Sequence, residues 1–149
     1  MRRRYKKELY AERVGLIKTM MPHCCIGVDV IVGFPGETDA DFQETFNFLH
    51  QLDISYLHVF TYSERTNTLA ADMKPVVPVG LRNDRNKLLR KLSYQKMQYF
   101  TNAHIGQTRK VLFETKNKNG MMEGYTDNYI KITTPFNEVW ENNIIEWKI

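Results

Sequence analysis

The sequence contains few of the residue types that indicate a secreted, membrane-spanning or metal-binding protein. Two of its 149 residues are cysteines, Cys24 and Cys25. Adjacent cysteines rarely pair with each other, and we place these two in an apolar strand as buried thiols of a reducing compartment. No run approaches the roughly 20 apolar residues of a membrane helix, and the histidines show no metal-ligand spacing. We therefore predict a cytoplasmic protein without a membrane contact or a metal site.

Acidic residues are scarce in two segments of a chain whose net charge is +4. Residues 1–7 carry five basic residues and no acid, and residues 82–110 carry eight basic residues and one acid. Segregation of this kind is typical of a surface that binds a polyanion. A solvated face of a lysine-rich helix gives the same pattern, and the sequence leaves both interpretations open.

Residues 28–42, VDVIVGFPGETDADF, change from apolar to glycine-rich to acidic. The β-branched run predicts a strand that is covered on both faces, as in a parallel sheet. Thr38 is a candidate N-cap of the following helix, with Asp41 three residues later. The loop between them therefore lies at the carboxyl end of a buried strand, where α/β folds bind ligands. Its residues, which suit either ligand contact or a tight turn, are Gly33, Phe34, Pro35, Gly36 and Glu37.

The first hundred residues alternate between predicted helices and strands, which indicates an α/β fold with a parallel sheet. A helix is predicted from Tyr5 to Met20, a second strand over residues 56–60 and a long loop over 63–80. Glu37 either contacts a ligand or caps the helix that follows it. A long helix then covers residues 81–104, and its predicted inner side carries Leu81, Leu88, Leu92 and Tyr99.

After Gly106 the pattern changes to four short strand-like runs separated by turn signals, which suggests a small five-stranded barrel. We place the domain boundary near residue 104, giving domains 1–104 and 105–149. Alternation predicts that Ile130 points inward and that Tyr129 and Lys131 point outward. Aromatic residues beside basic ones suit base stacking, and they equally suit the interior of a small barrel; these residues are Tyr125, Tyr129 and Phe136. Trp140 and Trp147 are expected in the core.

Three motifs in this order resemble the radical-SAM methylthiotransferases. They are GFPGET (33–38), YLHVFTYSERTNTLAA (56–71) and GYTDNYI (124–130). Their wording is closest to the subgroup that modifies threonylcarbamoyladenosine beside the tRNA anticodon. The resemblance implies an α/β fold, the carboxyl-terminal half of a radical-SAM partial (β/α) barrel, followed by a small all-β, OB-like TRAM barrel. At Asn67 the family usually has glycine, and asparagine tolerates the left-handed backbone nearly as well.

The resemblance also implies ligands and partners. The full-length family uses S-adenosylmethionine and 4Fe-4S clusters and acts on the tRNA anticodon stem-loop. The CxxxCxxC segment that holds a cluster is absent here, so we expect this chain alone to be inactive, to bind neither cofactor stably and to contain no catalytic residue. Residues 33–37 would contact S-adenosylmethionine, and the candidate RNA contacts are Arg3, Tyr62, Ser63, Arg65, Arg109, Lys110, Tyr129 and Lys131.

Two further expectations concern association and the alternative function. A half-barrel leaves the strand around residues 28–32 without a neighbour, and we expect self-association through that edge. The alternative to an enzyme portion is a stand-alone RNA-binding protein with a non-catalytic α/β part.

Overall fold

A computed structural model of the protein describes residues 6–116 and 119–149, which fall into two compact units. None of the described helices is both long and apolar enough to cross a membrane. The first unit contains the residues up to Pro22 together with Ile26–Gln98, and the second contains His23–Cys25 and Tyr99–Ile149.

The first unit alternates helices and strands, as the sequence predicts. Strands β1 and β2 pair in parallel, with Val28 opposite Leu57, so the helix between them is the crossover of an α/β fold. The elements are α1 (Lys7–Met20), β1 (Gly27–Val32), α2 (Asp39–Gln51), β2 (Tyr56–Thr61), a short 3-10 helix (Leu69–Asp72) and α3 (Val79–Asn102).

Helix α2 begins at the predicted N-cap. The backbone N–H of Asp41 donates to Thr38 Oγ1 at 3.1 Å, and the backbone N–H of Thr38 donates to the Asp41 carboxylate at 2.9 Å. This reciprocal capping box satisfies two N–H groups that the first helical turn would otherwise leave unpaired. Hydrogen bonds from the side chain and the backbone of Thr38 hold the pKa of Asp41 below its usual value.

The core of this unit lies on one face of the two-stranded sheet. The prediction that β1 is covered on both faces is wrong, because the described helices pack against a single face and leave Ile31 and Phe60 exposed at 39% and 53%. Ile31 and Phe60 lie opposite each other in register, so they share the open face. The buried cluster is Val14, Val28, Val32, Phe42, Leu49, Leu52, Ile54, Leu57, Leu89 and Leu92.

Helix α3 has a different inner face from the one predicted. Leu92 is buried as expected, but Leu81, Leu88 and Tyr99 are exposed, and Leu89 takes the inner position instead. The inner face of the helix is rotated relative to the prediction, because Arg82 and Arg85 occupy the inner positions of its first turns. In α1, Val14 is buried, whereas Leu9 is exposed, as is Met21 just after the helix. Cys24 and Cys25 are half-buried and precede β1, so placing them in a strand was also wrong.

The second unit is an antiparallel sheet with the strand order β5-β4-β3-β6. The four predicted strands are present, and the described residues contain no fifth strand of the predicted barrel. Val111, Phe113 and Met122 form the core, and Trp140 and Trp147 pack against it, as expected from the sequence. The strands are β3 (Thr108–Lys116), β4 (Met121–Thr126), β5 (Lys131–Pro135) and β6 (Ile144–Lys148), with a 3-10 helix at Glu138–Trp140.

Candidate functional site

Two loops meet at the carboxyl ends of β1 and β2. Because the strands are parallel and in register, the loop at residues 33–37 and the loop at residues 62–65 leave the same edge of the sheet. The backbone N–H of Tyr62 donates to the carbonyl oxygen of Val32 at 2.8 Å. The rings of Phe34 and Tyr62 pack edge to face with their centroids 5.3 Å apart. The structure therefore brings together the two groups of candidate residues that the sequence placed after separate strands.

Glycine is required at two positions of the first loop, for different reasons. Gly33 and Gly36 have φ values of 78° and 86°, a region that residues with a Cβ rarely adopt. At Gly33 a Cβ would also lie 2.3 Å from Cγ of Arg82, whereas at Gly36 a Cβ would meet nothing within 4 Å. The backbone N–H of Gly36 donates to the carbonyl oxygen of Pro75 at 2.8 Å. Both the positive φ and the close contact with Arg82 therefore require glycine at position 33.

Both carboxylate oxygens of Glu37 are bound within the protein. One accepts the backbone N–H of Gly33 at 3.0 Å, and the other accepts the Arg85 guanidinium at 2.6 Å. Arg85 also donates to Asp39 at 2.6 Å. Of the two roles left open for Glu37, the helix cap belongs to Thr38 and Asp41. The position of Glu37 instead closes the loop onto α3.

Arg82 ties the second loop to α3 in the same way. Its Nε donates to the carbonyl oxygen of Val77 at 2.7 Å, and its other nitrogens donate to the carbonyl oxygen of Tyr62 at 3.0 Å and to Glu64 at 2.6 Å. The hydrogen bond from Arg82 holds the pKa of Glu64 below its usual value. The guanidinium also lies 5.4 Å from the centroid of the Tyr62 ring.

The prediction that Arg82 and Arg85 belong to an exposed basic face is therefore wrong. Both side chains are 3% exposed, and three carboxylates neutralise them: Glu37 and Glu64 from the two loops and Asp39 at the start of α2. Neither arginine was predicted to be part of the site. The signal was available in their spacing, since Arg82, Arg85, Leu89 and Leu92 follow one helical face.

The second loop presents polar groups at the same edge. Tyr62 is half-buried, and its buried hydroxyl has no hydrogen-bond partner among the described residues. Ser63 and Arg65 are exposed. Asn67 adopts the predicted left-handed backbone, with φ of 62°. The loop thus offers a hydroxyl donor and an exposed guanidinium, which suit a ligand that carries acceptor oxygens.

The open face of the sheet continues from this edge. Asp29 and His58 lie opposite each other in register on that face, next to Ile31 and Phe60. His58 is exposed, and the centroid of its ring lies 4.9 Å from that of Tyr56. The face therefore combines apolar and titratable side chains directly below the two loops.

The two outer edges of the sheet differ. Along β2, Ser93 Oγ accepts the backbone N–H of Leu57 at 2.8 Å and donates to the carbonyl oxygen of the same residue at 3.0 Å, and Asn86 donates to the carbonyl oxygen of Val59 at 3.3 Å. Helix α3 thus satisfies this edge. Along β1 no described strand pairs with the outer edge, and a groove of about 790 Å³ follows it, lined by residues of β1, α1 and α2 such as Tyr10, Asp29 and Thr45.

The basic candidate RNA contacts of the second unit differ in their exposure and in their ion pairing. Arg109 is largely buried and pairs with Asp127 at 3.1 Å, and Lys131 pairs with Glu123 at 2.5 Å. Lys110 is exposed on β3. Tyr129 is 61% exposed and Ile130 is buried, as predicted, but both residues precede β5, so strand alternation is not the cause. Arg3 lies outside the described residues.

Comparison with known proteins gives a consistent result, although no family model matches the chain. It is 37% identical, over its whole length, to threonylcarbamoyladenosine tRNA methylthiotransferase MtaB of Bacillus subtilis, of which it covers 34%. The same enzyme of Aquifex aeolicus is 40% identical over 89% of the chain and 31% of that protein. A tRNA-2-methylthio-N(6)-dimethylallyladenosine synthase of Bacillus velezensis is 38% identical over 85% of the chain and 25% of that protein. The chain thus spans about a third or less of each relative.

Proposed function

Because the chain belongs to the radical-SAM tRNA methylthiotransferase family, we propose that it forms the carboxyl-terminal part of an enzyme that adds a methylthio group to threonylcarbamoyladenosine next to the anticodon. Residues 1–104 would be the second half of a partial (β/α) barrel, and residues 105–149 a TRAM-type barrel that binds RNA. The observation that carries the proposal is the open sheet face, on which Ile31 and Phe60 are exposed. This face adjoins the glycine-containing loop at residues 33–37 and the loop at residues 62–65, which contains Tyr62. In α/β barrels, ligands bind at the loops that follow the carboxyl ends of the strands.

S-adenosylmethionine fits the residues at the carboxyl edge. Within residues 33–37 a ligand can approach the backbone closely at Gly36, where an added Cβ would meet nothing within 4 Å, whereas Arg82 fills the corresponding space at Gly33. Phe34 offers an apolar ring, and the Tyr62 hydroxyl retains one free donor among the described residues. When bound, this cofactor would supply radical chemistry together with a reduced cluster. The role of this chain is to form one wall of the pocket and hold the two loops in position.

An iron–sulfur cluster does not fit this chain. Three thiolates are needed at CxxxCxxC spacing, and the sequence has two adjacent cysteines. Cluster chemistry is therefore not assigned to these residues.

The RNA contacts would come from the exposed charges. Lys110 and Arg65 are exposed cations, and Lys131 is partly neutralised by Glu123. Each neutralised phosphate releases condensed counterions, so binding of an anticodon stem-loop should weaken with salt. Lys110→Ala should flatten the log–log slope by about 0.9. Lys131→Ala should flatten it less, and Lys87→Ala, which removes a cation paired with Asp84, is the matched control.

A chimera tests the enzymatic proposal. This chain would replace the homologous segment of the Bacillus subtilis relative, and methylthiolated nucleosides in tRNA would be measured by mass spectrometry. We expect modified nucleoside from the chimera and a reduced yield from its Tyr62→Phe variant, because that change removes the hydroxyl. Tyr94→Phe, which removes an exposed hydroxyl on α3, is the control. A chimera that is folded, carries its clusters and yields no modified nucleoside contradicts the proposal.

The second candidate function is a stand-alone RNA-binding protein with a non-catalytic α/β part. It is favoured if the chain alone binds the stem-loop tightly while the folded chimera remains inactive.

We also propose that the chain self-associates through β1. Its outer edge has no partner strand among the described residues, whereas the edge of β2 is satisfied by Ser93 and Asn86. Unpaired edges recruit further strands. A single monomer mass over a wide concentration range, measured by analytical ultracentrifugation, would contradict this.

A further inference from the structure

Several hydrogen bonds hold the turn at residues 126–130. The backbone N–H of Ile130 donates to Thr126 Oγ1 at 2.8 Å, and that of Thr126 donates to the carbonyl oxygen of Ile130 at 2.9 Å. The Thr126 hydroxyl donates to Asn128 Oδ1 at 2.7 Å. The backbone N–H of Asp127 donates to the carbonyl oxygen of Lys110 at 3.1 Å. The conformation of the turn is therefore fixed by buried polar groups.

This turn forces Tyr129 into an unfavourable backbone conformation. Its φ is 69°, in the left-handed region, where a bulky side chain is an outlier. The ring is 61% exposed, so burial does not compensate for the strain. Strained residues of this kind are concentrated at binding and catalytic sites. An exposed aromatic ring held under strain is therefore evidence of a ligand.

The surroundings of Tyr129 indicate the ligand's chemistry. The ring of Tyr125 lies 5.2 Å away at an interplanar angle of 36°, and it is also partly exposed. On the sheet, Tyr125 is opposite Lys131 on β5 and opposite Leu112 on β3, and Lys110 lies two residues from Leu112 on the same side of that strand. Two accessible rings are thus flanked by Lys110, which lies opposite Glu146, and by Lys131, which is paired with Glu123.

We propose that Tyr125 and Tyr129 form a stacking site for an unpaired RNA base, with Lys110 placed to contact the adjacent phosphate. The inference rests on the proposed function and adds the part of the RNA that this unit recognises. Bases of a duplex are stacked within the helix and cannot reach a ring pair, whereas loop bases can turn outward and stack. An apolar protein segment fits this face less well, because the exposed Lys110 and the ion pair of Lys131 with Glu123 would then lie against apolar groups.

Two substitutions test the site without sacrificing the fold. Tyr129→Asn and Tyr129→Gly remove the ring and tolerate the left-handed backbone, so the urea midpoint followed by tryptophan fluorescence should stay equal or rise. Affinity of the full chain for an anticodon stem-loop RNA should fall about 5- to 150-fold. The salt slope should not change, because stacking is not ionic. Tyr129→Phe should retain most of the affinity, and Tyr99→Ala, which removes an exposed ring from α3, is the control.

A duplex RNA of the same length, in which the loop bases are paired, is the second probe. Wild-type and Tyr129→Asn chains should bind it equally. The inference is overturned if the Asn variant binds the stem-loop as tightly as wild type, if it loses duplex binding equally, or if it unfolds at lower urea. If Tyr129→Asn binds the stem-loop as tightly as wild type but Lys110→Ala binds it less tightly, the stacking site is refuted and the proposed RNA-binding function is not. Absence of stem-loop binding by wild type at low salt refutes both.

Discussion

The ion pair between Arg85 and Glu37 should contribute far more to stability than its neighbour at Asp39, although both distances are 2.6 Å. The Arg85 side chain is 3% exposed, that of Glu37 is 16% exposed and that of Asp39 is 88% exposed. Removing one partner of a buried pair costs roughly 3–5 kcal/mol, because the remaining charge is left without compensation. A surface pair contributes about 0–1 kcal/mol. We therefore expect about 3 kcal/mol for Arg85→Met and under about 1 kcal/mol for Asp39→Asn.

Urea denaturation followed by circular dichroism at 222 nm measures this loss, since α1, α2 and most of α3 lie in the first unit. With an m-value of about 2 kcal/mol per molar urea, the midpoint for Arg85→Met should fall by roughly 1.5 M. Tryptophan fluorescence reports the second unit, which contains Trp140 and Trp147, and serves as an internal control. Arg90→Met, which changes an exposed arginine of the same helix, should leave both midpoints within about 0.5 kcal/mol of wild type.

A double-mutant cycle separates the pair from other effects of the substitutions. If Arg85 and Glu37 act as one unit, Glu37→Gln should cost much less in the Arg85→Met background, with a coupling energy of about 1–3 kcal/mol. A coupling below about 0.5 kcal/mol, or an Asp39→Asn loss as large as that of Arg85→Met, would refute the assignment of the buried pair to Glu37.

Three further predictions follow from single interactions. The pKa of Asp41 is lowered in the folded state, so its contribution is present above the usual value of 3.8 and lost as the pH falls through the folded pKa; Asp41→Asn should flatten this part of the acid denaturation profile. Glu123→Gln should strengthen binding of tRNA at low salt in a filter-binding assay, because it releases Lys131 from its ion pair. After anaerobic reconstitution the chain should carry no cluster and should bind S-adenosylmethionine only weakly; stoichiometric iron and sulfide, or submicromolar affinity by calorimetry, would contradict this.

Local signals in the sequence were sufficient for much of the fold. The β-branched run predicts β1, and the Thr38–Asp41 spacing predicts the start of α2, since both depend on neighbouring residues. The predicted exposure of Tyr129 is confirmed, although the residue lies in the turn before β5 and not in the predicted strand. Elements decided by such short-range patterns were placed correctly to within a few residues.

The burial of Arg82 and Arg85 was not predicted from such local patterns, because it depends on carboxylates that are distant in the sequence. Arginine is usually exposed, so Arg82 and Arg85 were assigned to the surface and the helix was rotated to bury Leu81 and Leu88 instead. Their burial depends on carboxylates that lie 18 to 48 residues away, at Glu64, Glu37 and Asp39. The spacing of the two arginines with Leu89 and Leu92 indicates the inner face, but hydrophobicity alone assigns it wrongly, because ion pairs define that face in the first turns of the helix.

This arrangement has a consequence for how the two loops meet a ligand. A loop that must be ordered on binding pays conformational entropy from the interaction energy with the ligand, whereas a preorganised loop does not. Arg82 and Arg85 anchor both loops to a long helix through hydrogen bonds to Tyr62, Glu64 and Glu37. The conformation of this wall is thus set by residues of this chain, and the cost of ordering it is met during folding. Arg85→Met should therefore weaken the binding of S-adenosylmethionine to the chimera, even at a low temperature at which the variant remains folded. Asp39→Asn should leave this affinity unchanged. Equal ligand affinity for the two folded variants would mean that the loop is held by its glycine geometry alone.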